Sequence, residues 1–447
     1  MKNTLRSILM MLVIAALVAA CSPATEEPVE PAPVEEAAPE VEEAPAVEEA
    51  AEVEEAPSEP VEIAFWYPYG EGSWTGDFLA GKIESFNAEK PDIIVTGQSY
   101  ESYTAIIEGL QRAAAGENLP GVASIGFGFD EYIVSSDLAA SYNELLGDEA
   151  EAYLGDFFPA LTAVTTFDGE TYGVPLALSV AEIFYHSDLF EQAGLDPDNP
   201  PTTWAGFLEA ARTINTELGI YGATFALDDP WIFETTVRSN GGAFLTEEGP
   251  QLNSDVASAA LTDWGTGVAD GSILYNADFF ETLQSFGAQQ VAMFATSSYG
   301  TLIYAEIAPL VRAMPWPAAE GETAQIPAGG NSLYVFGNSD AERAAAAELV
   351  LYLTSPEANA EWAMNSGYLP TRNSSLETMG DFISGFDNYQ IAIDAIDNVV
   401  PPTQFGTQTL QANQYLMEAI EKVMLGAGTA DEVLAEANQS IVELLAE

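Results

Sequence analysis

From Val61 onward the chain alternates two apolar spacings, and this alternation limits what it can fold into. VEIAFWY places Val61, Ile63 and Phe65 at every second residue, the period of a strand with one buried face. The next segment spaces Phe78, Ile83 and Phe86 near the helical period and stops before Pro91. IIVTGQ reads as a second strand, a helix follows from about Tyr103 to Ala115, and the apolar run VASIGFGF leads to a short helix near Tyr132. Strands separated by helices predict a parallel, layered α/β lobe. In such sheets ligands sit at the carboxyl ends of the strands, where the loops YPYGEGSW and GFGFDE fall.

Later segments keep the same character. TTFDGETYGVPLALSVAEIFYHSDLF holds a hairpin turn at Asp168-Gly169 and then a long extended run. Gly194 ends a helix, Pro197, Pro200 and Pro201 stiffen the connection, and Thr202 or Thr203 caps a helix carrying Trp204, Phe207 and Leu208. Further helices are predicted at about 231–239, 254–269, 340–353, 388–397, 408–424 and 430–446. No fixed-period repeat is present.

The first 60 residues differ. Lys2 and Arg6 precede an apolar stretch from Ile8 to Ala20, too short to span a bilayer comfortably, and Val18-Ala19-Ala20 is a small-residue cleavage site. Cys21, the only cysteine, follows at once. This arrangement resembles the bacterial lipoprotein signal and implies that residues 1–20 are removed and Cys21 becomes a lipid-modified N-terminus. Residues 22–60 contain little besides Glu, Pro, Ala and Val, with no Lys or Arg. Such a segment cannot bury enough apolar surface to offset its ordering entropy, so residues 21–60 read as a disordered, acidic tether.

Charge excludes several functions. The 447 residues carry 11 Lys and Arg against 70 Asp and Glu, and loss of Lys2 and Arg6 with the leader lowers the basic count further. Nucleic acid is excluded as a partner, because phosphate binding needs cations to displace counterions. A single histidine and a single cysteine exclude most zinc sites, and His186, at a strand end, reads as structural. The Gly-rich pieces lack the Lys-Ser/Thr of a phosphate loop. Composition alone leaves open a glycosidase-like carboxylate pair.

GVPLALSVAEIFYHSDLFEQAGLDPDNPPTTWAGFLEAA resembles the extracellular solute-binding proteins of ABC importers, in the cluster (family 1) that includes maltose- and glycerol-3-phosphate-binding proteins. GAQQVAMFATSSYG, MPWPAAEG and the stretch from GGNSLYVFGN to SGYLPTR follow in the family order, so the resemblance covers nearly all of Val61 to Glu447. It implies an α/β, two-lobe periplasmic-binding-protein-like fold of class II type, with a hinge between lobes and closure on the ligand. The implied lobes are 61–171 plus 332–378 and 172–331 plus 379–447, with crossings near Tyr172-Gly173, Gly330-Asn331 and Met379-Gly380. The implied function is a lipid-anchored, monomeric receptor that hands a carbohydrate-like solute to importer permease subunits, with no cofactor, metal or catalysis. A surface glycoside hydrolase and an adhesion or sensory domain of the same fold are the competing readings.

Carried over by motif, the ligand-binding residues implied are Tyr103, Asp130, Ser179, Trp231, Ser298, Gly330 and Tyr368. Trp231 of DDPWIF would stack on the solute and Tyr368 of SGYLP would supply a phenol. Trp66, Glu71 and Trp74 lie on the first loop as further candidates. Structural roles compete: Asp130 also fits a helix cap, Ser179, Ser298 and Gly330 also fit turns, and Trp204 and Trp362 fit helix cores. The glycerol-3-phosphate branch grips phosphate with an arginine after the last crossing; PPTQFGTQTLQAN has Gln404, Gln408 and Gln411 there instead. Unless Arg372 compensates, the ligand expected is a neutral sugar or polyol, with a glycerophosphodiester bearing a cationic head group second.

Overall fold

The computed structural model describes residues 59–116, 118–307 and 310–446; the leader, Cys21 and the tether up to residue 58 lie outside the described residues. The main elements of the first part are β1 (Val61–Tyr67), α1 (Trp74–Glu89), β2 (Ile93–Ser99), α2 (Tyr103–Gly116), β3 (Val122–Gly126), α3 (Asp130–Ser135) and β4 (Gly173–Ser179). There follow β5 (Ala181–His186), α4 (Trp204–Leu218), β6 (Tyr221–Phe225), α5 (Trp231–Ser239), α6 (Asp255–Asp270), β7 (Ile273–Leu274), β8 (Val291–Ser297) and β9 (Val311–Met314). The last are β10 (Gly329–Val335), α7 (Asp340–Leu353), α8 (Pro356–Ser366), α9 (Thr409–Met424) and α10 (Ala430–Leu444).

Two five-stranded sheets result, in the orders β2-β1-β3-β10-β4 and β7-β6-β8-β5-β9. The βα repeats pair in parallel as the sequence predicts, β1 with β2 and β3, and β6 with β7 and β8. Each sheet also contains antiparallel pairs: β10 runs against β3 and β4, and β5 against β8 and β9. A strand that arrives from the other lobe enters at the hinge end, so it must run opposite to strands that finish there.

That entry also moves the expected boundaries. Gly173–Ser179 pairs in the first sheet, and only Val180 separates it from β5 of the second, so the first crossing lies at Val180 and not at Tyr172-Gly173. Gly329 and Gly330 already pair with β4, which puts the return at Ala328, just before the expected Gly330-Asn331.

Both faces of the first sheet are buried. Alternation along β1 sends Ile63, Phe65 and Tyr67 into one core with Leu79 and Phe86 of α1, and Trp66 into the opposite core with Ile106, Ile107 and Leu110 of α2. The second lobe has one large core in which Trp264 stacks on Phe225 at 4.1 Å. Helix starts are capped as their sequences suggest: Ser73 and Thr203 accept from Gly76 and Gly206 at 3.1 and 3.2 Å. The turn at Asp168-Gly169 joins two short antiparallel strands with φ of 52° and 87°.

Candidate functional site

The strand ends of both sheets and the two crossings converge on one region. Gly329 and Trp231 meet there: a Cβ at Gly329 would lie 2.5 Å from Ser179 Oγ and 2.7 Å from the indole of Trp231, so only glycine allows this approach. Trp231 opens α5, donates from Nε1 to Pro327 O at 2.8 Å, and keeps part of its surface open to solvent. Gly330 has φ +105° and its absent side chain would strike Ala177 O at 2.2 Å, so it shapes the strand beside the site.

Asn331 organises the first-lobe wall. Fully buried, it donates from Nδ2 to the hydroxyls of Tyr69 at 2.7 Å and Tyr103 at 2.8 Å, while Oδ1 has no partner. Gly126 makes room for the Tyr103 ring, which would lie 2.8 Å from a Cβ there. Tyr69 packs edge-on to Tyr368 at 6.3 Å, and Tyr368 stacks on Trp362 at 5.8 Å and meets the tilted ring of Tyr299 of the second lobe at 4.7 Å. Burial raises the Tyr69, Tyr103 and Tyr368 phenols above the usual value, so they remain neutral hydrogen-bonding groups.

On the second-lobe side, Asp228 and Asp229 are adjacent at the end of β6 and reached by solvent. Desolvation first, and then the charge of Asp228, push the Asp229 carboxyl up to about 7. Asp229 also accepts from the backbone N–H of Trp231 at 2.8 Å, which ties its carboxylate to the first turn of α5.

Other expected residues serve the scaffold. Asp130 is fully buried, accepts from Tyr334 Oη at 2.6 Å and Gly128 N at 3.0 Å, and is pushed up to about 7 by desolvation; it braces the loop before α3 and offers nothing to a solute. Ser298 is also fully buried: its Oγ accepts from Val180 N at 3.1 Å and its N–H donates to Val180 O at 2.9 Å, which clamps the first crossing. Trp66 lies in the core against Tyr100, whereas Trp74 and Glu71 are exposed. His186 is buried against Phe286 O at 2.8 Å, and burial lowers its pKa.

Arg372 does not reach the cleft. It donates to Asp156 at 2.7 Å and to Thr354 O at 2.6 Å, with its guanidinium over the rings of Tyr153 and Phe157. Among the described residues every lysine and arginine is within ion-pair distance of a carboxylate. Sequence reasoning missed Tyr69, Asn331, Tyr299 and the Asp228-Asp229 pair. Tyr69 and the aspartates stood in quoted loops, but only the fold shows which residues face one another.

Residues 82–384 match the family profile of bacterial extracellular solute-binding proteins, and the chain belongs to that family. A relative is the sn-glycerol-3-phosphate-binding periplasmic protein UgpB of Rhizobium meliloti, 25% identical over 69% of each chain. Among solved structures, the cyclic alpha-maltosyl-1,6-maltose binding protein of Arthrobacter globiformis superposes with a TM-score of 0.71 at 25% identity, over 86% of this chain and 99% of that one. UgpB of Mycobacterium tuberculosis in complex with glycerophosphocholine gives 0.75 at 21% identity, over 87% and 98%. The chain is therefore an extracellular solute-binding protein with the two-lobe fold.

Proposed function

We propose that the protein is a membrane-tethered receptor that captures a neutral sugar or sugar-like polyol between its lobes and passes it unchanged to the permease of an ABC importer. The observation that carries this reading is the pairing of every described lysine and arginine with a carboxylate. The two most buried arginines among the described residues, Arg238 and Arg372, are held by Glu234 and Asp156 at 2.7 Å each. A phosphate monoester would have to dismantle such a pair or remain without a charge-assisted partner. A sugar needs what Asn331, Tyr103, Ser179, the two aspartates and the Trp231 face provide: fixed donors and acceptors around an apolar platform.

One observation favours a second ligand class. Asp228 and Asp229, exposed just before Trp231 and with Asp229 accepting from its backbone N–H, suit a cationic head group, as in a glycerophosphodiester bearing choline. Calorimetric titration with maltose, glycerophosphocholine and glycerol-3-phosphate separates the classes. Binding of the saccharide is expected; tight binding of glycerol-3-phosphate with no response to any neutral saccharide would overturn the reading. Incubation with oligosaccharides should release no new reducing ends, and a Cys21→Ser chain should leave the membrane fraction.

A further inference from the structure

The buried amide of Asn331 uses its protons and leaves its oxygen idle. Its Nδ2 gives one proton to Tyr69 Oη at 2.7 Å and one to Tyr103 Oη at 2.8 Å, while Oδ1 receives none. A phenol oxygen that accepts from an amide must turn its own proton elsewhere. Among the described residues neither hydroxyl donates to any group in good hydrogen-bond geometry. The Tyr368 hydroxyl lies near enough to raise the Tyr69 phenol further, but a proton passed to it would only move the free donor one ring along. One amide thus sets the direction of several hydroxyl protons at once.

The rings that carry these hydroxyls are held by packing. Tyr103 fills the space that Gly126 leaves open, where a Cβ would lie 2.8 Å from its ring. Tyr69 packs on Trp362 at 5.5 Å and on Tyr368 at 6.3 Å. Asn331 stands two residues beyond Gly329, about 7 Å of strand, and Gly329 is where the indole of Trp231 lies. The free donors therefore stand beside the aromatic platform. Across from them, Asp228 and Asp229 are exposed just before Trp231, and an ionised carboxylate can only accept. The first-lobe wall offers protons, and the second-lobe side offers lone pairs.

We infer that Asn331 is a positioning residue for solute recognition: it turns the Tyr69 and Tyr103 hydroxyls donor-outward, so that the first-lobe wall reads a solute oxygen that carries no proton. The inference rests on the reading of the cleft as the solute site. Oxygens of this kind occur in the acetal link of a saccharide and in a phosphodiester. A solute hydroxyl placed there would need a separate acceptor for its own proton, so the wall discriminates against it.

Neutron diffraction from deuterium-exchanged crystals of the full chain carrying Cys21→Ser, with no solute added, locates the protons directly. The amide deuterons should point at both Oη atoms and the hydroxyl deuterons away from Asn331; hydroxyl deuterons aimed at the amide would overturn the inference. Calorimetry gives the functional readout with three probes: maltose, its S-linked analogue in which sulfur replaces the bridging oxygen, and glycerophosphocholine. Tyr69→Phe and Tyr103→Phe each remove one donor and should weaken binding of the recognised probe by about 10-fold. Asn331→Asp keeps the shape but has no N–H to give, and should weaken it at least as much. A preference for maltose over the S-linked analogue that disappears in Asn331→Asp assigns the wall to the acetal oxygen, whereas losses confined to glycerophosphocholine assign it to the phosphodiester oxygen. A purely structural role would lower the melting temperature of Asn331→Asp and leave every probe at the parent's affinity, which would also overturn the inference. If no probe binds the parent, the reading of the cleft falls, and the deuteron positions still decide what Asn331 does.

Discussion

Arg372 and Asp156 form an ion pair at 2.7 Å that lies against the rings of Tyr153 and Phe157. Arg372 is 7% exposed, and its bond to Thr354 O joins the segment after SGYLP to the end of α7. This cation is part of the first-lobe scaffold, which removes it as a phosphate ligand. Arg372→Met leaves the Asp156 carboxylate unpaired and Thr354 O without its donor. A loss of about 3 kcal/mol is expected, at the low end for a broken buried pair because Asp156 keeps some contact with water. Denaturant unfolding measures it, and solute preference in the folded fraction should not change.

Two buried carboxyls make stability depend on pH. Desolvation raises Glu182 to about 8 and Asp130 to about 7. Each binds its proton more tightly in the folded chain than in the unfolded one. Their contribution to stability is therefore complete below the ordinary carboxylate value near 4 and is lost as pH rises through about 7 for Asp130 and about 8 for Glu182. Melting temperature should climb as pH falls from 8.5 to 5, each group adding at most about 1.4 kcal/mol per pH unit within its window. Glu182 is the clearest test, since Thr301 donates to Oε1 at 3.1 Å and Oε2 has no partner. Glu182→Gln should flatten the slope and be more stable than the parent at pH 8.5; an unchanged slope would rule out Glu182 as a source.

Trp231 is held by two bonds that do not depend on solute, its N–H to Asp229 and its Nε1 to Pro327 O. Its ring is thus set in place before binding. If a solute buries the exposed face, Trp231→Ala should weaken binding by about 10-fold or more, corresponding to about 1.5 to 3 kcal/mol. Trp231→Phe keeps an aromatic face but loses the bond to Pro327, and an intermediate loss is expected. Titration of the best-binding saccharide measures both, and parent affinity in a folded Trp231→Ala chain would remove the indole from the site.

The strands and helices of both lobes were legible because each carries its period on its own residues: Val61, Ile63 and Phe65 specify a strand wherever they are placed. The crossings were less legible. Gly173–Ser179 is buried on both faces and reads as extended in either lobe; only its pairing with β10 decides which sheet it joins. Asp130 and Ser298 sit in loops where ligand contacts are plausible, but their partners, Tyr334 and Val180, are 204 and 118 residues away. Asn331 gave no local signal, since its partners Tyr69 and Tyr103 lie 262 and 228 residues upstream.

Gly329 gives the sharpest test of how the crossing shapes the cleft. Its missing side chain leaves room for both Ser179 Oγ, 2.5 Å from the Cβ position, and the Trp231 indole, 2.7 Å from it. Its φ lies outside the left-handed region, so Gly329→Ala adds no backbone strain and acts only through these two neighbours. Trp231 cannot shift without stretching its 2.8 Å bond to Pro327 O, two residues before the substitution. Gly329→Ala should therefore lower saccharide affinity by roughly 10-fold through displacement of the indole, and overpacking should cost about 1 to 3 kcal/mol of stability. If the indole carries the effect, Gly329→Ala should weaken binding much less in a Trp231→Ala background than in the parent, because the two changes share one contact. Full additivity of the two losses in calorimetric titration would show that Gly329 influences the site by another route.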